Sequence, residues 1–441
     1  MALFLLNGMP PSSDLLVHRY CRLTNIGVFL FFALLFILPS GYSYGAVVLL
    51  LGSIVYCARH RSVLHSKDFT LSIEDKWVIG VLAFFAIIAS ASVLGHANNI
   101  KHLDQLSRYI LAIPVFLLLL RFPPRAHALW GGVCIGVVLS IGIAVWQLYV
   151  LHHERASGYL NIIHFGNIGL VFGLICLAGL RWSWTQTPYV RAWQAALCVG
   201  TLAAIYAVVA SGSRGSWVAM PPVILIMLYA FASRRSLPYL AGAIAMVVAI
   251  SAVLYLIPET EVHERFDLAV SEIQRYMNER YVFRDGEVSS VGARLEIWRI
   301  TLMAIPQALW FGWNEMQFDA YMNQLISQGM ADPYMTQMAN THNNYLEVLL
   351  WHGLTGFLPF MLMFCVPLYF FVRRLRSDDP CTQALAVAGA CLVTSYMMFA
   401  LSQVILGRNN GVMFFVISLA IIWASMRQAE RTALQNAQHT R

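Results

Sequence analysis

Apolar runs long enough to cross a bilayer recur along the chain, separated by short polar segments. Trp77 to Leu94, Leu129 to Val150 and Leu240 to Ile257 each supply the ~20 apolar residues a helix needs to cover a hydrocarbon core of ~30 Å. By that length criterion there are roughly twelve such runs. They lie near 24–39, 44–57, 76–94, 107–121, 127–151, 160–180, 191–210, 215–232, 237–257, 345–372, 382–404 and 410–426. The pattern predicts an all-α polytopic membrane protein. One interval breaks the rhythm: from about Pro258 to His342 the chain mixes acidic residues, arginines and aromatics, the texture of a soluble protein, and predicts a small helical cap. Within it Val262 to Arg280 reads as an amphipathic helix. Ala293 to Ala304 carries Leu295, Trp298 and Leu302 at helical spacing, which suits a helix lying on the membrane face. Phe283 to Ser290 reads as a polar connection, and Gly312 to Tyr334 has no assignable pattern.

Composition supports lipid as the solvent. Of 441 residues 59% are hydrophobic and 12% charged, which excludes an ordinary soluble globular class. The first apolar run follows Arg19 and Arg22 and has no small-residue cleavage site behind it, so it is expected to be a retained helix. The net charge of +7 would suit a nucleic acid, but the basic residues alternate along the chain. Arg59, Arg61 and Lys67, Arg121 and Arg125, Arg181, Arg234 and Arg235, Arg373, Arg374 and Arg376, then Arg431 and Arg441 fall at every second connection, the positive-inside pattern. That phase puts both termini in the cytoplasm and the 258–342 segment outside, with no nucleic-acid partner implied. The expected organisation is spans over 1–257, a cap over 258–343, further spans over 344–427 and a cytoplasmic tail over 428–441. No inside segment is long enough for a nucleotide-binding domain, and no Walker pattern or strand–GxGxxG–helix context occurs. An energy-rich substrate must therefore arrive with the lipid. The eight cysteines contain no CxxC and none lies in the long outer segment, so neither a disulfide nor a zinc framework is implied.

The arginines that break the positive-inside pattern carry the chemistry. Arg155, Arg214 and Arg408 fall at short outer turns, while Arg265, Arg275, Arg280, Arg284, Arg294 and Arg299 populate the cap. A guanidinium near hydrocarbon needs a partner. Its planar fork suits phosphate or pyrophosphate oxygens, although an arginine snorkelling to headgroups gives the same pattern. Asn340-Thr-His-Asn-Asn-Tyr-Leu-Glu347 runs from the cap into the next span. His342 is thus expected at that helix's outer start, as a general base kept neutral by the helix N-terminus or as a cap; Asn343 and Asn344 are candidate caps or ligands. Arg294 and Trp298 share one helical face, where an arginine beside an aromatic plate can hold phosphate and stack a sugar or prenyl chain. Tyr276, Trp310, Trp313, Tyr321 and Tyr334 are sugar platforms, the core of the cap or an interface belt. Asp285-Gly-Glu287 and Glu259-Thr-Glu261 read as solvated loop rather than metal ligands.

Three stretches resemble the bacterial O-antigen ligases, within the superfamily that also holds O-antigen polymerases and O-linked oligosaccharyltransferases. They are Arg155-Ala-Ser-Gly with Asn161 and Phe165-Gly-Asn167 downstream, Ser213-Arg214-Gly, and Arg294-x3-Trp298 with His342-Asn343. The twelve-helix layout with a large periplasmic segment before the tenth helix is also the ligase arrangement. The resemblance implies a GT-C type membrane glycosyltransferase of the bacterial inner membrane, working on its periplasmic side without cofactor or metal. The donor would be an undecaprenyl pyrophosphate-linked glycan, the acceptor the lipid A core oligosaccharide, and the transfer inverting. Carried over, Arg214 and Arg294 would bind the pyrophosphate and His342 would activate the acceptor hydroxyl. Arg155 and Arg265 are lesser candidates for the pyrophosphate, and Trp298 and Asn343 for substrate contact.

Two sister activities share these motifs. Polymerases often divide their outer mass between two loops and protein-directed enzymes often append a soluble domain, and the sequence shows neither feature. A polysaccharide flippase would place ionisable residues deep in its helices, whereas most charges here fall at helix ends.

Overall fold

The structure is a computed structural model that describes residues 11–59, 70–96, 100–231, 262–280, 282–284 and 287–439. The first part of the chain forms α1 (Pro11–Ala33), α2 (Gly41–Arg59), α3 (Ile73–Gly95), α4 (His102–Arg121), α5 (Ala126–Val145, continued by a π-helical turn to Val150), α6 (Ile162–Ser183), α7 (Val190–Ser211) and α8 (Met220–Phe231). The segment expected to form a cap contains α9 (Val262–Glu279), a small hairpin of β1 (Phe283–Arg284) and β2 (Glu287–Val288), α10 (Ser290–Ala304) and α11 (Glu315–Ser327). The chain then returns through α12 (Asn344–Val372), α13 (Pro380–Phe399) and α14 (Asn409–His439).

Among the described residues nine helices, α2 to α7 and α12 to α14, are long and apolar enough to cross a membrane. The chain is a multi-pass helical membrane protein, as its hydropathy predicts. The expected run at 24–39 ends as a helix at Ala33, and the run at 215–232 is a 3-10 turn, Arg214–Ala219, followed by the short α8. The expected run at 237–257 lies outside the described residues.

Small residues set the spacing in the middle of the bundle. α6 packs along α7 and against α13. Gly173 of α6 approaches α7 so closely that a Cβ on it would come within 2.7 Å of the Ala204 methyl. Helices in lipid gain from such close backbone approach because dispersion contacts must replace the hydrophobic drive.

The run at 345–372 is not one straight span. Gly353 breaks α12 with φ 58° and ψ −162°, a backbone region almost confined to glycine. The ring of Tyr345 lies 6.0 Å from that of Phe360, whereas a straight helix would separate these positions by roughly 22 Å. The helix therefore folds into an elbow. Its first arm, 344–352, carries Leu350 and Trp351 into the core of the cap, and its second arm descends through the bundle. The 309–313 loop locks the bend: Leu354 N donates to Leu309 O, Thr355 N to Trp310 O, and Trp313 N to Leu350 O.

The cap is helical, as expected, and α10 turns a face other than the Leu295–Trp298–Leu302 side into the cap's core. Ala293, Ile297, Ile300 and Ala304 point inward, while Leu302 is exposed and Leu295 and Trp298 lie at the margin. The interval 312–334, without a pattern in the sequence, contains α11, started by the Asn314 side chain accepting from Gln317 N. The expected polar connection at 283–290 contains the hairpin. Inside the cap Tyr276 donates to Glu296 at 2.7 Å, and Arg299 grips the same carboxylate through two nitrogens. Burial pushes the Glu296 carboxyl up, but the bonds from Arg299 and Tyr276 outweigh it and hold the group below its ordinary range. Tyr276 and Trp313 are core residues, Trp313 donating to Ala304 O. Tyr334 stacks on Phe283 and Trp310 is exposed.

Candidate active site

The Asn340–Glu347 motif spends most of its polar groups on shaping itself. Glu347 accepts from both the backbone and the hydroxyl of Thr341 and from Trp351 Nε1. The Asn343 side chain accepts from Tyr345 N and Leu346 N and donates to Leu401 O. Asn343, a candidate for substrate contact, is thus the N-cap of α12, and both ends of its amide are engaged. Asn344 is tied to the α13–α14 connection, donating from its backbone to Ala400 O and accepting from Leu406 N.

His342 is held in this frame at φ 53°, a left-handed conformation uncommon outside glycine. Its backbone N–H donates to Asn340 Oδ1, and its ring Nδ1 lies 3.1 Å from Gln403 Oε1. A carboxamide oxygen there fixes the hydrogen on Nδ1 and leaves the Nε2 lone pair as a base. Burial pushes the imidazole below its ordinary value, the Gln403 bond opposes this, and Arg294 and Arg408 add to the depression. Both guanidinium groups therefore stand within electrostatic reach of the ring. Trp298 Nε1 donates to Thr341 O at 2.7 Å. The Arg294–Trp298 face of α10 thus turns toward His342, in agreement with the helical spacing.

The connection after α13 joins this group to a second arginine turn. While Gln403 meets His342, the adjacent Ser402 hydroxyl faces Gly215, where an added Cβ would come within 3.1 Å of it. The Ser213-Arg214-Gly215 turn follows the left-handed cap Gly212 of α7 and is pinned to α6 through Ser216 Oγ donating to Asn167 Oδ1 at 2.8 Å. The Arg214 side chain and the Arg265 side chain lie outside the described residues; Arg265 belongs to the first turn of α9. Arg155 serves the turn from below: its Nε donates to Ser211 O and its Nη2 to Gly212 O. Those bonds satisfy the carbonyls at the end of α7 and make Arg155 a support for the Arg214 turn.

Two adjoining cavities open beside this group, one of about 480 Å³ and one of about 540 Å³. Gln105, Gly407 and Arg408 line both, with the Gln105 amide donating to Gly407 O. The first runs under the short arm of α12. Its lining combines apolar Phe85, Leu106, Val348 and Phe360 with the polar groups of Tyr109, Asn344, Glu347 and His352 and of His102, Asn340, Gln403 and Arg408. The second is lined by Ser40, Tyr42, Asn161, Asn409 and Asn410 among others. A space lined by both apolar and polar groups suits an amphiphile, and Arg408, shared by the two cavities, is the cation in its wall.

Gln403 was not among the candidates from sequence. Its signal is an uncharged polar pair, Ser402-Gln403, at the outer end of an apolar run, where buried polarity in a membrane helix marks a site. Arg408 stood out as an arginine on the wrong side of the charge pattern, and the structure gives it a place between the two cavities.

An uncharacterized protein of Haemophilus influenzae is 25% identical over 394 residues, covering 89% of this chain and 95% of that protein. Residues 199–361 match the family model described as O-antigen ligase, so the resemblance read from the sequence holds across the segment that carries Arg214, Arg265, Arg294, Trp298, His342 and Asn343.

Proposed function

We propose that this membrane protein, of O-antigen ligase or polymerase type by its family match, is a ligase. It transfers a glycan from undecaprenyl pyrophosphate to a hydroxyl of the lipid A core oligosaccharide, with a GT-C type architecture and its cap on the periplasmic side of the inner membrane. The observation that carries the reading is His342, oriented by Gln403 with Arg294 and Arg408 in electrostatic reach, next to a cavity that Gln403 and Arg408 line. His342 Nε2 takes the proton of the acceptor hydroxyl as its oxygen attacks the anomeric carbon. The bond from that carbon to the pyrophosphate oxygen breaks on the opposite face, inverting the centre. The electron pair leaves with the pyrophosphate, whose growing charge is met by Arg294, Arg408 and Arg214. Positioning and charge neutralisation of this kind are large contributions to catalysis and need no redox partner. Both cytoplasmic termini follow from the positive-inside pattern in the same reading.

Lipopolysaccharide from a strain lacking the gene tests the assignment. A ligase predicts lipid A core free of polymer while polymer accumulates on its carrier. Core bearing a single repeat unit would instead make the protein a polymerase, and normal capped core would overturn both.

A further inference from the structure

At the end of the bundle opposite the cap, a cavity of about 360 Å³ is walled by Arg121, Arg427 and Arg431, by Thr70 to Ser72 leading into α3, and by Leu120. Among the described residues its lining carries three guanidinium groups and no carboxylate. We propose that this cavity binds the phosphate of an anionic phospholipid headgroup, a site separate from the proposed active site and independent of it.

The wall is built, not incidental. Arg427 pairs with Glu74, Asp75 and Glu430, and Arg374 pairs with Glu74 and Glu430. Asp75 is fully buried, accepts from Trp423 Nε1 at 2.8 Å and closes the capping box of α3 with Ser72. These contacts lock the lower ends of α3, α12 and α14 together and fix Arg427 as the rigid back of the cavity. Three carboxylates meet two arginines in that network. Arg121 and Arg431 line the cavity beside Arg427.

Arg121 is the last residue of α4, and Arg431 follows Arg427 by one helical turn on an exposed position of α14. This is the level at which the chain leaves the hydrocarbon. A lone arginine at that depth snorkels outward, but three converging on one cavity from two helices make a pocket for a phosphodiester, whose oxygens match the guanidinium fork. Basic pockets between spans at the headgroup level are the usual form of anionic-lipid sites. Leu71 and Leu120 offer apolar wall for the glycerol and upper acyl chain.

The test uses full-length protein in an uncharged detergent, with melting followed after addition of phosphatidylglycerol, phosphatidylcholine or inorganic phosphate at equal concentration. Phosphatidylglycerol is expected to raise Tm while the other two leave it unchanged. Arg431→Gln should remove most of that rise and Arg431→Lys should retain part of it; the exposed position lets both variants fold. Equal shifts from the two lipids, or an undiminished response in Arg431→Gln, would overturn the proposal. A shift from inorganic phosphate as large as that from phosphatidylglycerol would assign the cavity to a free anion and overturn the lipid headgroup. The readout is binding alone, so its failure leaves the ligase reading standing.

Discussion

The Nδ1 atom of His342 and the Oε1 atom of Gln403 lie 3.1 Å apart, joining the end of the cap to the connection between α13 and α14. One hydrogen bond between distant segments thereby decides which imidazole nitrogen is left to accept a proton.

Gln403→Ala is expected to lower transfer with little change in donor binding, because the ring loses its orientation and not its neighbours. Gln403→Glu sets a carboxylate against Nδ1 and raises the imidazole pKa. The acid limb of the pH–rate profile should then move to higher pH. In the native protein that limb should lie below the ordinary histidine value of about 6.5, since the imidazole is depressed. Overlapping profiles for native and Gln403→Glu protein would show that His342 is not the titrating base. Stability carries the same sign: the unfolded chain binds the proton first as pH falls through about 6.5, so His342 favours the folded state above that pH and disfavours it below.

His342→Ala is expected to reduce transfer by roughly 10²–10⁴-fold, the range for a positioned acid or base. His342→Asn is the better control because asparagine tolerates the positive φ of this position. It should fold with native melting behaviour and still lose activity. Full transfer by a well-expressed Asn variant in a strain lacking the native gene rules out the base.

Gly353→Ala should destabilise the protein by at least about 1–3 kcal/mol from backbone conformation alone. A Cβ there would also approach the Trp310 carbonyl carbon and oxygen to 2.4 Å. Yield and thermal unfolding in detergent read this directly, and a variant that melts like the native protein would mean the elbow tolerates a straighter helix.

Arg155→Ala removes two charged hydrogen bonds to the end of α7 and is expected to lower Tm and activity together. Arg214→Lys should instead leave Tm near native and impair transfer, because a lysine lacks the fork that grips two oxygens. Comparing Tm with rate for the two variants separates support from substrate contact; near-normal transfer by Arg214→Lys would reduce Arg214 to a headgroup anchor.

The helices that cross the membrane were legible because each must bury its own backbone polarity over a fixed thickness, and that requirement writes long apolar runs. The turn arginines were legible because charge in those places violates a distribution rule. Gln403 was hidden, since a neutral side chain at the end of an apolar run changes the hydropathy pattern very little. The role of Arg155 was hidden for another reason: its partners are the Ser211 and Gly212 carbonyls, and backbone acceptors leave no mark on sequence. The elbow in α12 was legible only as a glycine among apolar residues, because what bends it is the distant Leu309–Trp313 loop. The bond from the Trp298 indole N–H to Thr341 O was hidden in the same way as the contacts of Arg155, because its acceptor is a backbone carbonyl.

The elbow also sets where this protein can be cut and rejoined. Hydropathy would place the junction of a chimera just after His342, at the start of the tenth apolar run. Within the arm from Asn344 to His352, Leu350 and Trp351 pack with the cap and Glu347 anchors the His342 loop, so a swap made there would pair one parent's cap with the other's platform. A graft that exchanges acceptor preference between relatives should carry the native donor segment through Gly353 and take its matching 309–313 loop along.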